Sequence, residues 1–274
     1  MPTAEPEVEI RPRGGPEAQH GMYDLHTPEG DRGLIRLSRS GGPSVPAVIE
    51  ALATDALSPE ENDRLVDGAL DAAHRMLRDE GHRVVQAVLP EGHPMVRRFL
   101  RHEYAPWSYR MVKPLPALPP GQGRGEGTTG CRRAEEAEER AWAARFEEAH
   151  ARELHRVGLS REAARASSRA MVANVPARFE LWLTTAGEET TGHVCLAAWP
   201  GEQDRTVFVY DLAVEPRFRG LGHGSTLLRV AEEVARARGA DHLTLNVSAG
   251  NRAALGLYAS AAFTRTQVHL GRFL

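Results

Sequence analysis

The sequence has 274 residues with 34 basic and 37 acidic side chains, a formal net charge of -3. That length suits two small domains better than one core, and the near-balanced charge excludes the one-sided field that draws nucleic acid or an anionic membrane. Two cysteines, Cys131 and Cys195, are too few for a disulfide framework or a four-ligand zinc site, and no run nears the roughly 18 apolar residues of a membrane span. A soluble chain of this kind is expected in the cytoplasm. Lys113 is its only lysine, which reads as codon usage rather than chemistry.

Residues 1 to about 20 have no periodic pattern and are expected to form a tail or a short leading strand. Tyr23 to His26 and Leu34 to Ser38 flank a Pro-Glu-Gly-Asp-Arg-Gly turn, which predicts two strands, and Val45 to Ala53 predicts another. From Ser58 to Glu80, Leu65, Leu70, Ala73, Met76 and Leu77 recur at helical spacing behind a Ser58-Pro59-Glu60-Glu61 start, and Gly81 stops the helix. A strand over His82 to Leu89, a short helix over Met95 to His102 and a strand over Trp107 to Val112 follow, with Trp107 and Met111 as core of that last strand. The stretch Pro114 to Gly130 is proline-rich and then glycine-rich, so the expected division is a first domain at 1–114, a linker at 115–127 and a second domain at 128–274.

Beyond the linker the pattern predicts helices over Arg133 to Arg156 and Arg161 to Ala173, then a hairpin of Arg178 to Thr185 with Thr191 to Ala198. An apolar strand, Thr206 to Val214, leads through Pro216 to Gly222 into a helix over Gly224 to Arg238 that Gly239 closes. A strand over His242 to Val247, a helix over Arg252 to Ala262 and a strand over Thr264 to Phe273 end the series. Shifted by 158 positions, Gly239 falls on Gly81, Leu243 to Val247 on Val85 to Leu89, and the 252–262 helix on 94–104. A tandem repeat of one fold follows. The overlay breaks where Arg219-Gly220-Leu221-Gly222-His223-Gly224 meets Glu61-Asn62-Asp63-Arg64-Leu65-Val66, two acids and no glycine.

Three glycines at alternate positions, Gly220, Gly222 and Gly224, let several backbone N–H groups turn toward one anion at a helix start. A Walker loop needs a lysine that is missing here, and a dinucleotide fingerprint spaces its third glycine differently and follows its strand directly. The run Tyr210-Asp211-Leu212-Ala213-Val214-Glu215-Pro216-Arg217-Phe218-Arg219-Gly220-Leu221-Gly222-His223-Gly224-Ser225 resembles motif A of the GNAT superfamily of acetyl-CoA-dependent N-acetyltransferases. Leu245 to Tyr258, with Asn251-Arg252-Ala253-Ala254 and Tyr258, looks like that family's following strand, turn and tyrosine-bearing helix. The resemblance covers about 140 residues, the usual second-domain scale. One departure is Ala262-Phe263, where the family usually has Gly-Phe.

The resemblance implies an α/β protein of two tandem GNAT-like domains, each a mixed, largely antiparallel sheet flanked by helices, the first degenerate and the second catalytic. It implies acetyl transfer from acetyl-CoA directly to a small-molecule or protein amine in a ternary complex; the charge balance gives no reason for a nucleic-acid or membrane partner, and assembly as a homodimer is left open. Leu212, Ala213 and Val214 would meet the acetyl and pantetheine groups. Arg219, Gly220, Leu221, Gly222, His223, Gly224 and Ser225 would hold the pyrophosphate, and Asn251 and Ala254 would touch pantetheine. Tyr258 would protonate the departing sulfur, its ordinary alternative being a half-buried packing aromatic. Asp211 is assigned to catalysis. Glu215, His193 and Asn246 are further candidates for the base, each with an ordinary alternative as a solvated or structural polar group. The competing class is a non-catalytic CoA-binding or interaction module. The first domain is expected to bind no CoA and to shape the acceptor cleft, which the helices between Arg133 and Val175 would help to build.

Overall fold

The computed structural model describes residues 8–13, 20–39, 43, 45–116, 130–156, 159–173, 179–198 and 205–274. They fall into two compact units, neither continuous in the chain: Met1–Trp107 with Arg152–Ser167 and Val268–Leu274, and Ser108–Ala151 with Ser168–Gln267. The sequence suggested continuous blocks divided at the Pro/Gly stretch, most of which, 117–129, lies outside the described residues. Leu115, assigned to that linker, is buried in the core of the second unit and donates its N–H to Asp241 O at 2.6 Å.

In the first unit, strands β1 (Glu9–Pro12), β2 (His20–Thr27), β3 (Gly30–Ser38), β4 (Ala47–Thr54) and β5 (Val84–Pro90) lie in that order. The pairs from β1 to β4 are antiparallel and β4–β5 is parallel, because helix α1 (Pro59–Asp79) provides the crossover. Helix α1 starts where Ser58 Oγ accepts from Glu61 N at 3.1 Å and Pro59 fixes the first turn. Its buried stripe includes Leu65, Val66, Ala69, Leu70, Ala73 and Leu77. Gly81 ends it at φ 86°, with His82 N donating to Leu77 O at 2.9 Å. Helix α2 (Met95–Arg101) and the first residues of strand β6 (Ala105–Pro114) follow.

The second unit takes Ser108 onward from β6, then β7 (Cys131–Arg133), the first part of α3 (Glu136–Arg156) and the end of α4 (Arg161–Ala173). Strands β8 (Glu180–Ala186), β9 (Glu189–Ala198) and β10 (Thr206–Val214), helix α5 (His223–Ala237), β11 (His242–Ser248) and α6 (Arg252–Ser260) complete most of it. Its strand order is β6-β11-β10-β9-β8-β7, parallel only at β10–β11. Strand β12 (Thr264–Phe273) gives 264–267 to this unit and Val268 onward to the first. Met111, expected in the first domain's core, instead packs in the second unit with Leu227, Leu228, Leu243 and Leu245. Each such burial contributes roughly 1.5–3 kcal/mol. Strand β7 went unread because three residues, Cys-Arg-Arg, carry no alternating pattern.

The sheet of the second unit is covered on both faces. Val194 and Leu196 of β9 and Val207 and Val209 of β10 pack with α5 and α6 residues, while Cys195 of β9 and Tyr210 of β10 join Trp142 and Phe146 of α3 on the opposite side. These two layers fix where every candidate residue points.

Candidate functional site

Strand β10 pairs with β11 only from Thr206↔His242 to Val209↔Leu245, then runs five residues further against β9 alone. Its last turnless stretch, Tyr210 to Val214, therefore offers backbone groups on the side that β11 has left. Leu212 and Val214 direct their side chains into the α5/α6 core, and Ala213 pairs with His193. These three residues lie together where β10 has left β11.

The register shifts between Val209 and Asp211. Simple alternation from Val207 and Val209 would send Asp211 into the α5/α6 core; the bulge instead delivers it, beside Tyr210, to the α3 side. There one carboxylate oxygen, Oδ2, accepts from Trp142 Nε1 at 2.9 Å and from His193 Nε2 at 2.8 Å. Trp142 is 1% exposed. Burial, reinforced by the charges of Asp211 and Glu139, pushes the neighbouring Cys195 thiol well above its ordinary range, so this cysteine stays a neutral packing group.

After Val214, Pro216–Phe218 makes a single 3-10 turn and Arg219 returns to donate from Nε to Val214 O at 3.1 Å. This ties the arginine side chain to the strand end. Gly220 and Gly222 then take left-handed φ of 77° and 88°, values that side chains resist, and Gly222 forms the start of α5 without a capping side chain. Among the described residues the backbone N–H groups from Gly220 to Ser225 have no acceptor; Thr226 N, bonded to Gly222 O at 3.1 Å, is the first that does. These donors lie at the positive end of a 15-residue helix, with no acid in its first turn. Gly224 is needed for closeness, because a Cβ there would stand 3.0 Å from Leu257 Cδ2.

Leu221 is 68% exposed at the rim and Ser225 is exposed. His223, expected in the open beside a phosphate, is half-buried: its Nδ1 donates to Thr191 Oγ1 at 3.1 Å, and that hydroxyl donates to Thr184 at 2.9 Å. Arg217 is paired with Glu189 and lies over Phe218, its guanidinium carbon 4.9 Å from the ring centre. Of the two loop arginines, neither side chain is idle.

On the neighbouring helix, Asn251 Oδ1 caps α6 by accepting from Ala254 N at 3.1 Å. Tyr258 lies in the α5/α6 core at 6% exposure, and its hydroxyl has no hydrogen-bond partner among the described residues. Burial and then the charge of Asp211 push its pKa up to about 12. A phenol of that kind stays protonated at neutral pH. Asn246 accepts from Arg110 Nε at 3.4 Å on the exposed face of β11, and Glu215 lies exposed beyond β10.

The structure thus brings Leu212 to Val214, the Gly220–Ser225 donors, Asp211 and Tyr258 into one unit, while Asn246 is engaged elsewhere on the sheet. Sequence reading missed Trp142. Its signal was a lone indole amid the charged residues of α3, which marks a buried contact on an otherwise solvated helix.

Residues 147–263 match the acetyltransferase (GNAT) family. An uncharacterized N-acetyltransferase of Bacillus subtilis strain 168, YycN, is 30% identical over 95 residues, 34% of this chain and 61% of that protein. A second such protein of the same strain, YdgE, is 30% identical over 92 residues, 34% and 59% of the two chains. The chain therefore spans about three fifths of these relatives. Among solved structures, a GCN5-related N-acetyltransferase from Sphaerobacter thermophilus superposes with a TM-score of 0.57 at 19% identity, over 95% of this chain and 82% of that one. A tandem GNAT protein from the clavulanic acid biosynthesis pathway gives 0.53 at 15% identity, over 95% and 84%. At these identities the superpositions establish a shared fold.

Proposed function

Because residues 147–263 match the acetyltransferase (GNAT) family, we propose that the chain is an N-acetyltransferase that moves an acetyl group from acetyl-CoA to an amine within one ternary complex. One observation carries the reading: six unpartnered N–H groups, Gly220 to Ser225, at the start of α5 and beside the freed end of β10. A pyrophosphate fits such a donor cluster, since it needs many donors and a close approach of backbone, and the glycines supply both. Leu212 to Val214 line the thioester end, Asn251 and Ala254 flank the pantetheine arm, and Tyr258 supplies the proton to the leaving sulfur. Asp211 belongs to the polar group, with His193 and Trp142, that handles the proton removed from the amine. The acceptor is an amine held on the α3 side of β9 and β10, where His193, Asp211 and Trp142 meet.

Calorimetric titration of acetyl-CoA into the wild type and Gly222→Glu tests this. The variant puts a carboxylate among the donors and strains a backbone at φ 88°, so binding is expected to weaken by about 100-fold or more. Circular dichroism confirms that the variant is folded, and an amine panel then reads turnover. Absence of binding by the folded wild type overturns the assignment.

A further inference from the structure

We propose that the proton acceptor of this reaction is Nδ1 of His193, and that Asp211 and Trp142 are the residues that position it. The proposal rests on the acetyltransferase reading above and deepens it by separating the roles within the site. Asp211 Oδ2 is already engaged by two donors, His193 Nε2–H at 2.8 Å and Trp142 Nε1–H at 2.9 Å. Both bonds fall on one carboxylate oxygen, which is the arrangement of an orienter that holds the imidazole and the indole in place. By taking the Nε2 hydrogen it fixes the imidazole tautomer and leaves the Nδ1 lone pair bare. Among the described residues nothing bonds to that nitrogen. The buried indole holds the carboxylate from the opposite side, and the bulge at Asp211 is what makes the three-way contact geometrically available.

Position supports the same role. His193 is the cross-strand partner of Ala213, within the part of β10 that has lost β11 as a neighbour. The titratable groups around it are Asp211 and Tyr210 of β10, Cys195 of its own strand and Glu139 of α3, with Tyr258 of α6 sensing Asp211. Among them the imidazole offers a ring nitrogen with no partner among the described residues, at the strand position facing Ala213.

The step balances as follows. The amine nitrogen attacks the thioester carbonyl carbon and the new C–N bond forms; its N–H proton passes to His193 Nδ1. The C–S bond breaks, the electron pair leaves on sulfur, and Tyr258 gives its phenolic proton to the thiolate. The products are the amide and the free thiol. Solvent then carries the proton from imidazolium to phenolate, and both groups are restored.

Imidazole 1H–15N spectra of the full chain, assigned with His193→Gln, provide a test that needs no acceptor. The expected result is a neutral Nε2–H ring whose Nδ1 signal moves on adding acetyl-CoA, together with the amides of Gly222 to Ser225. An Nδ1–H tautomer, or an Nδ1 signal that stays fixed while the loop amides move, overturns the proposal and leaves the cofactor reading standing. Silence of both overturns the cofactor reading and this proposal with it. On an amine found to be turned over, His193→Gln is expected to lower kcat by about 10²–10⁴-fold with little change in KM for acetyl-CoA. Added imidazole restores part of the rate to His193→Ala. A His193→Gln enzyme within about threefold of wild type rejects the assignment.

Discussion

Under the 158-residue shift helices α1 and α5 end together, at Asp79 and Ala237, although His223 at the start of α5 falls on Leu65 inside α1; each begins with N–H groups that the helix itself cannot satisfy. In α1 the chain answers with its own side chains. Pro59 has no N–H, Ser58 takes the Glu61 and Asn62 hydrogens through its hydroxyl and carbonyl oxygens, and Glu61 reaches back to Leu57 N at 2.7 Å. In α5 a glycine opens the helix and six donors are left over. The same shift sets Leu100 against Tyr258, Ala53 against Asp211 and Ile35 against His193. The fold thus tolerates either answer, a helix start closed by the chain's own groups or one whose donors are left over.

The comparison is broken most severely at Tyr258. Removing its hydroxyl with Tyr258→Phe is expected to lower kcat by about 10²–10⁴-fold with acetyl-CoA affinity kept, whereas Leu100→Ala leaves turnover unchanged, as steady-state kinetics will read. With its pKa at about 12, the phenol imposes no alkaline loss of rate below about pH 11.

The next contrast is Glu232, ion-paired with Lys113 and Arg236, against His74 of α1. Arg272 donates to His74 Nδ1 at 3.0 Å, and Nε2–H donates to Tyr104 Oη at 2.8 Å. Burial first, then the charges of Arg272, His102 and Arg78, lowers its pKa from 6.5 to about 3. Between these values the unfolded chain binds more protons than the folded one, so stability is whole above about pH 6.5 and declines as pH falls toward 3. The loss is on the order of a few kcal/mol. Urea midpoints across that range will show it, and His74→Gln flattens the curve.

A smaller effect tests the closed helix start. Ser58→Ala exposes the Glu61 N–H and is expected to cost about 1 kcal/mol by denaturant unfolding, without altering acetyl-CoA affinity. The smallest concerns a turn the units have in common. Glu103 and Ala262 both take left-handed backbone, at φ 62° and 64°. Ala262→Gly relieves that strain and is expected to gain a few tenths to about 1 kcal/mol, read as a rise in Tm.

Much of this arrangement is legible in the sequence. Strand β10 and helix α4 have the bounds that apolar patterning and charge spacing suggest, and Ser58, Gly81 and Gly239 mark helix ends by their chemistry. The glycine loop is equally plain, with glycines at alternate positions 220, 222 and 224 before a helix. The partnerships escape such reading. Alternation says that β6 is a strand but not that its partner is β11, which follows it by more than a hundred residues in the chain. Nor does Tyr210-Asp211 announce a bulge, so the turn of Asp211 toward Trp142 and His193 appears only when the registers of two strands are counted together.

The discontinuity of the two units governs how they can be made. Residues Val268–Leu274 belong to the first unit, where Leu274 N donates to Arg83 O at 2.9 Å, while Ser108 onward from β6 belongs to the second. A ribosome that has finished residue 107 has therefore not finished the first unit, which waits for segments made more than a hundred and fifty residues later. Cutting the gene at the Pro/Gly stretch would give one product lacking its closing strand and another lacking the strand beside β11. Expression trials belong on the whole chain, and a nascent-chain protease assay should find protection of the first unit arriving last.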